Sequence, residues 1–286
     1  MAAIAGTWEI TRPRVPLPGV VDAIGYRSMG VTPGIHRGLP SPYLTFVISI
    51  DGPIVASWEE RDVVEGTAPG APTVLGGLHT APAYLDRPES EAGVQLAVHP
   101  LAARAIFGLP AAELAGQTIT IDDVWGCESV HLREQLEQAD DWETRFEVLR
   151  NALAGRIGDQ PPGPRDDVAE AWRLLASEEG NVSVTDLAAH VHLGNRQLTE
   201  VVRREVGLSP KRIGRLMRFH SVVRRLSGPT SAVSLAETAS QQGYADQAHL
   251  TREFVEFTGI PPTEWLEKEL RFVQDNGEQS GAFWPS

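Results

Sequence analysis

Residues 187–210, LAAHVHLGNRQLTEVVRREVGLSP, and residues 238–262, TASQQGYADQAHLTREFVEFTGIPP, carry one pattern twice. In the first copy Leu187-Ala188 leads to Leu198 and then to Gly207-x-x-Pro210; in the second, Thr238-Ala239 leads to Leu250 and Gly259-x-x-Pro262. Leu198 and Leu250 are 52 positions apart, as are Gly207 and Gly259, but Ala188 and Ala239 are 51 apart, so one extra residue sits in the second turn, around Gly243-Tyr244. Each copy reads as a short helix, a turn, a longer helix and a stop. Glycine supplies the left-handed conformation that closes a helix, and the proline three residues on cannot extend it. The pattern predicts two helix-turn-helix units.

Between them, Ile213, Leu216, Met217, His220 and Val223 recur at helical spacing from Lys211 to Leu226, which predicts one continuous joining helix. Such a helix spans roughly 24 Å. With the width of the flanking units added, the two longer helices would lie on the order of 34 Å apart, one duplex turn, so that both could enter successive major grooves. Charge points the same way. The chain of 286 residues has a net charge of −13, yet from Arg196 to Arg225 nine basic residues face only Glu200 and Glu205. An acidic protein with one basic strip attracts phosphate locally and repels it elsewhere.

From about Val182 to Trp265 these residues resemble the DNA-binding domain of AraC/XylS-type bacterial transcription regulators, over a little under a third of the chain. The resemblance is carried by Leu187-Ala188, Leu198, Gly207 and Pro210, Arg218, Ala239, Gly243-Tyr244, Asp246, Leu250, Arg252-x-Phe254, Gly259 and Pro262. Four positions depart from it: Gly194 stands for a Ser helix cap, Val202 for Phe, Ile213 for an aromatic residue and Thr238 for Ile. Gly caps less well than Ser by a few tenths of a kcal/mol, so the first unit is expected to be the less rigid. The resemblance implies base-reading roles for Arg196, Thr199 and Glu200 in the first unit and for Gln247, Ala248, Thr251 and Arg252 in the second. Their chemistry suits base reading, since Arg pairs with guanine, Gln with adenine, Glu with the cytosine amino group, and Ala or Thr methyls with thymine. Plainer roles compete with these: phosphate contact for the two arginines, solvated positions for the threonines, and pairing of Glu200 with Arg203 or Arg204. Arg203, Arg204, Lys211, Arg212 and Arg215 are expected to hold the phosphate backbone, which sets register without reading sequence. For Arg218 the resemblance implies an internal salt bridge.

The length allows two domains. Residues 155–165, rich in Gly and Pro, predict a linker between a sensing and dimerisation domain at 1–154 and a DNA-binding domain at 166–270, with a tail at 271–286. Asp166-Asp167 open a helix at its positive end. Short apolar runs at 25–31, 43–50, 54–58, 73–78 and 94–98, punctuated by Gly and Pro, predict a β-barrel or sandwich-like domain. From 129 to 154, Leu132, Leu136, Trp142, Phe146, Leu149 and Leu153 at helical spacing predict a helical hairpin broken near Asp140-Asp141. The fold class is thus α+β, a β-rich half followed by an all-α half. That order of textures resembles the effector-binding and dimerisation half of AraC-type regulators, with the hairpin as either dimer seam or internal packing.

A barrel can enclose a small molecule; Tyr43, Trp58, His79 and Tyr84 are candidates to line it, although aromatic residues in a β-domain are more often core. No His-x-His with later Glu and His occurs in residues 1–164, and His190-x-His192 falls in a helix turn, so no metal and no cofactor is expected. Catalysis is not expected either. DNA-alkylation repair needs an activated thiol, but the lone Cys127 lies beside Glu128 with no basic neighbour, and no P-loop, Gly-x-Ser-x-Gly or dinucleotide fingerprint appears. The rival to a small-molecule effector is a protein bound by the N-terminal half. The single cysteine, the lack of an apolar run of about 18 residues and the lack of a signal-like start predict a cytoplasmic protein. The expected partners are promoter DNA, RNA polymerase, a second copy of the chain and a small effector, with activation favoured over repression.

Overall fold

The computed structural model describes residues 6–158, 163–228 and 234–267. The N-terminal half is built on ten antiparallel strands: β1 Thr7–Thr11, β2 Val20–Met29, β3 Gly34–Gly38, β4 Leu44–Ser49, β5 Ile54–Ser57, β6 Gly70–Ala71, β7 Thr73–Gly76, β8 Ala83–Arg87, β9 Glu91–Val98 and β10 Thr118–Ile119. Six form one sheet in the order β1-β2-β9-β4-β7-β10, and four form a second, β3-β8-β5-β6. The sheets are not joined at their edges, so the expected barrel does not close and the sandwich-like arrangement is the one adopted. Short helices α1 Glu60–Val64, α2 Ala103–Phe107, α3 Ala111–Leu114 and α4 Asp122–Trp125 precede the hairpin of α5 Cys127–Gln138 and α6 Trp142–Gly158.

The larger sheet is covered on both faces, by alternation of side chains along its strands. On β9, Val94, Leu96 and Val98 are fully buried in the main core with Phe46, Ile48 and Leu75, beneath the helices. On β2 the residues turned the other way, Ile24 and Tyr26, join Val47 in a small cluster toward the second sheet. Gly25 is what lets the hairpin seat: a Cβ there would come within 2.4 Å of the Trp142 ring. The indole lies against the strand and donates from Nε1 to Glu9 at 2.9 Å. The whole apolar stripe of the hairpin, from Leu132 to Leu153, is buried inside the chain. These residues therefore pack the monomer core, the second of the two arrangements that their spacing allowed.

α6 runs to Gly158, past the expected domain boundary at 155, and residues 159–162 of the predicted linker lie outside the described residues, as does the 271–286 tail. The C-terminal half comprises α7 Asp166–Ser177, α8 Val184–His190, α9 Asn195–Val206, α10 Pro210–Leu226, α11 Leu235–Gln241 and α12 Gln247–Thr258, followed by a helical turn at 262–267. The two halves share one continuous apolar core. At their junction Arg104 of α2 pairs with Glu205 of α9 at 2.8 Å, Tyr43 meets His220 edge-on at 5.6 Å, and His99 meets Trp172 at 5.4 Å.

Candidate nucleic-acid interface

α8 and α9 form the first helix-turn-helix, α11 and α12 the second, and the 17 residues of α10 join them. Four residues separate α8 from α9 and five separate α11 from α12, which locates the inserted residue in the second turn. His192 takes a positive φ of 57° in the first turn and Gly243 one of 70° in the second. Gly207 and Gly259 close the longer helices in the left-handed conformation. At the other end the units differ. The Asp246 side chain accepts from the His249 amide and caps α12, whereas Gly194 offers α9 no side-chain cap.

In both units the apolar stripe of the longer helix turns inward: Leu198, Val202 and Val206 on α9, Leu250, Phe254 and Phe257 on α12. The positions left outside include Arg196 and Glu200 on α9, and Gln247, Ala248 and Arg252 on α12, with Thr199 and Thr251 half-buried beside them. Thr199 donates to the Asn195 carbonyl at 2.8 Å, and Glu200 accepts from Arg204 at 3.2 Å, the plainer of its two expected roles. Arg203, Lys211 and Arg212 are exposed and carry no ion pair within 4 Å among the described residues. Docking of the N-terminal half covers the C-terminal end of α9, near Glu205 and Gly207, and leaves its opening turn exposed.

Among the expected phosphate contacts, Arg204 is drawn to Glu200 at the surface, and Arg215 is placed differently again from Arg203, Lys211 and Arg212. It donates to Glu253 at 2.7 Å and Glu256 at 2.5 Å, which raises its pKa, chiefly through Glu256, and its guanidinium lies over the Phe257 ring. It braces α10 against α12. Arg218 adds to this brace, 3.9 Å from Glu253 and over the Tyr244 ring. Glu253 is only 4% exposed and also accepts from the Tyr244 hydroxyl at 2.9 Å; burial and that carboxylate push the Tyr244 pKa upward. Sequence reasoning missed Glu253, yet a signal was there: a carboxylate stands on the stripe of Leu250, Phe254 and Phe257, where only a paired charge can be buried.

The candidate effector residues separate into two pairs. Trp58 and His79 pack on each other at 5.1 Å between ring centroids and line a cavity of about 120 Å³ between the two sheets. Tyr84 stacks with Arg37 instead, and Tyr43 belongs to the junction with His220; neither lines this cavity. An adjoining cavity of about 280 Å³ shares His36, Val47, Leu85 and Gln95 with the first. Burial first, then Arg87, lowers the His36 pKa to about 4, so the ring is neutral at pH 7. His190 is bonded to Glu170 at 2.6 Å, and His192 is exposed. Among the described residues no group of three or more His, Cys, Asp or Glu side chains is arranged to hold a metal ion, and no helix is long and apolar enough to cross a membrane.

Residues 187–268 match a family model described as a helix-turn-helix domain. No curated protein matches the chain. Among solved structures, ToxT from Vibrio cholerae is similar over 91% of this chain and 98% of its own, at 10% identity and a TM-score of 0.48. A transcriptional regulator with an AraC-type DNA-binding domain, from Chromobacterium violaceum, is 24% identical over 34% of this chain and 87% of its own, with a TM-score of 0.31. The C-terminal domain of AraT, a response regulator from Geobacillus stearothermophilus, is 17% identical over 36% and 86%, with a TM-score of 0.34.

Proposed function

We propose that this chain is a sequence-specific DNA-binding transcription regulator whose N-terminal half senses a small molecule. The observation that carries this reading is the pair of helix-turn-helix units at the two ends of α10, each turning polar and basic side chains outward from an apolar stripe. Arg196, Thr199 and Glu200 would read bases in one groove, and Gln247, Ala248, Thr251 and Arg252 in the next. Arg203, Lys211 and Arg212 would hold the phosphates between them. α10 spans about 25 Å at the helical rise, which suits two readers set one duplex turn apart. A monomer carries both readers, so a homodimer is not needed to span two grooves.

The adjoining cavities favour a small molecule over a protein as the partner of the N-terminal half. Such a ligand regulates by binding one arrangement of the halves more tightly than another. RNA polymerase is the partner that activation would require. Selection of genomic fragments by the purified chain, at a stated salt concentration, tests the DNA reading. Two enriched blocks about ten base pairs apart are expected; uniform binding whose salt slope reports only phosphate neutralisation would overturn sequence specificity.

A further inference from the structure

We propose that the intersheet cavity takes an apolar organic cation, an amine in its ammonium form that also carries a hydrogen-bond donor at its far end; this rests on the reading of the N-terminal half as the ligand-sensing part. His79 lines the smaller of the two adjoining cavities. Its Nδ1 lies 3.0 Å from the Gly77 carbonyl oxygen, which can only accept, so Nδ1 carries the proton. Burial lowers the pKa of the ring, so the imidazole is neutral and Nε2 presents a bare lone pair. That nitrogen is buried and has no hydrogen-bond partner among the described residues, and the residue lines the smaller cavity with Leu39, Val47, Trp58, Val74 and Leu85. A buried acceptor without a donor destabilises the fold that holds it. A hydroxyl or N–H on an otherwise apolar ligand would satisfy it.

The larger, adjoining cavity has the complementary bias. Asp51, Asp86 and Glu91 line it together with the rings of Trp8 and Tyr26. Its lining cation is Arg87, whose Nη2 is engaged by the Thr32 carbonyl at 3.1 Å. Asp51 accepts from the Ala92 amide, but the Glu91 carboxyl has no hydrogen bond or ion pair among the described residues. Burial raises the Glu91 pKa to about 7; Arg87 opposes the rise, and Asp51 and Asp86 add to it. Asp51, Asp86 and the ionised fraction of Glu91, set against one guanidinium, repel an organic anion and attract a cation, and aromatic faces strengthen that preference. Because His36, Val47, Leu85 and Gln95 line both cavities, one elongated ligand can occupy the two, with its ammonium in the larger cavity and its donor at His79.

The test uses the full chain and three probes of one length: 8-amino-1-octanol, octylamine and 8-hydroxyoctanoate, titrated by calorimetry at pH 7.5. The amino alcohol is expected to bind, octylamine to bind roughly tenfold more weakly for want of the hydroxyl, and the carboxylate to bind at least tenfold more weakly still. Glu91→Gln should weaken both amines about tenfold. His79→Phe should erase the difference between the amino alcohol and octylamine. Preference for 8-hydroxyoctanoate overturns the cation assignment while leaving the cavity as the effector site. Equal binding of the two amines by the unaltered protein overturns the role of His79. Failure of all three to bind overturns both this inference and the sensing role of the cavity, and leaves the DNA reading to its own test.

Discussion

Glu253 shows how much one side chain can decide here. It ties Arg215 and Arg218 of α10 and the Tyr244 hydroxyl of the second turn to the recognition helix α12, so it sets how that helix stands on the joining helix. Removing it leaves Arg215 to Glu256 alone, takes the carboxylate from Arg218 and strands the buried Tyr244 hydroxyl without an acceptor. Glu253→Ala should therefore cost about 3–5 kcal/mol of stability in urea unfolding, whereas Arg203→Ala should cost almost none. Arg252 belongs to the other class, exposed and aimed outward. Arg252→Ala should lose on the order of 1–3 kcal/mol at one base pair of the selected site if it reads guanine; equal weakening across all sequences reassigns it to phosphate. Glu91 offers a pH test. Its folded pKa, about 7, is raised above the ordinary value of 4.5, so the folded state binds the extra proton, and the associated stability is full below pH 4.5 and lost as pH rises through 7. Glu91→Gln should thus be less pH-sensitive than the parent between pH 5 and 8, with its relative gain appearing at the alkaline end. Thermal unfolding at both pH values decides it. At this scale the outward and inward positions of the recognition helices were legible from spacing. The destination of Arg215 was not, since a guanidinium can meet a phosphate or a carboxylate and only packing says which is nearer.

The elements differ in how plainly their sequences announce them. α9 and α12 carry apolar stripes, glycine stops and prolines, and each lies where the repeat puts it. Their opening turns are unequal. α12 has Asp246 as cap, and α9 has only Gly194, around which a Cβ would meet nothing within 4 Å. Gly194→Ser should raise stability by a few tenths of a kcal/mol and slow hydrogen exchange at the first amides of α9 without changing those of α12. The strands β2, β4, β5, β7 and β9 lie on the apolar runs that predict them. β1, β3 and β8 were not legible: TWEIT, GIHRG and AYLDR are short, half-exposed and interrupted by charge. A strand that covers only one cavity wall needs few apolar residues, so its periodicity is faint. The hairpin of α5 and α6 was legible as helices, but not in what it packs against. Leucines at helical spacing fit a partner chain or a sheet equally well, and the bare backbone at Gly25 is what gives Trp142 its seat.

Across the whole molecule, the N-terminal half is bonded to the first recognition helix and not, among the described residues, to the second. Arg104 and Glu205 lie 101 residues apart in sequence, and the Gly207 stop sits against α3 so closely that a Cβ would come within 2.5 Å of the Ala115 methyl. Gly207 thus serves both the helix end and the junction. On the function proposed above, this contact is where a ligand bound in the sandwich would act on α9. Reversing the pair one residue at a time, Arg104→Glu or Glu205→Arg, should destabilise the junction, and the double reversal should recover about 0.5–1 kcal/mol of coupling. Limited proteolysis between the halves, compared across the four proteins, reads that coupling directly; additive effects would mean that the pair does not hold the halves together.

The sequence by itself determined the two helix-turn-helix units, their joining helix and the outward-facing positions of the longer helices, because those features rest on local rules of periodicity, capping and chain stops that need only near neighbours. The tertiary structure decided what long-range contacts control: that the sheets stay open as a sandwich, that the hairpin's stripe is buried in the core, that Arg215 turns to Glu253, and that Trp58 and His79 share a cavity which Tyr43 and Tyr84 do not line. In each case several partners satisfy the same side chain, and the choice among them falls to burial and distance, which no local pattern encodes.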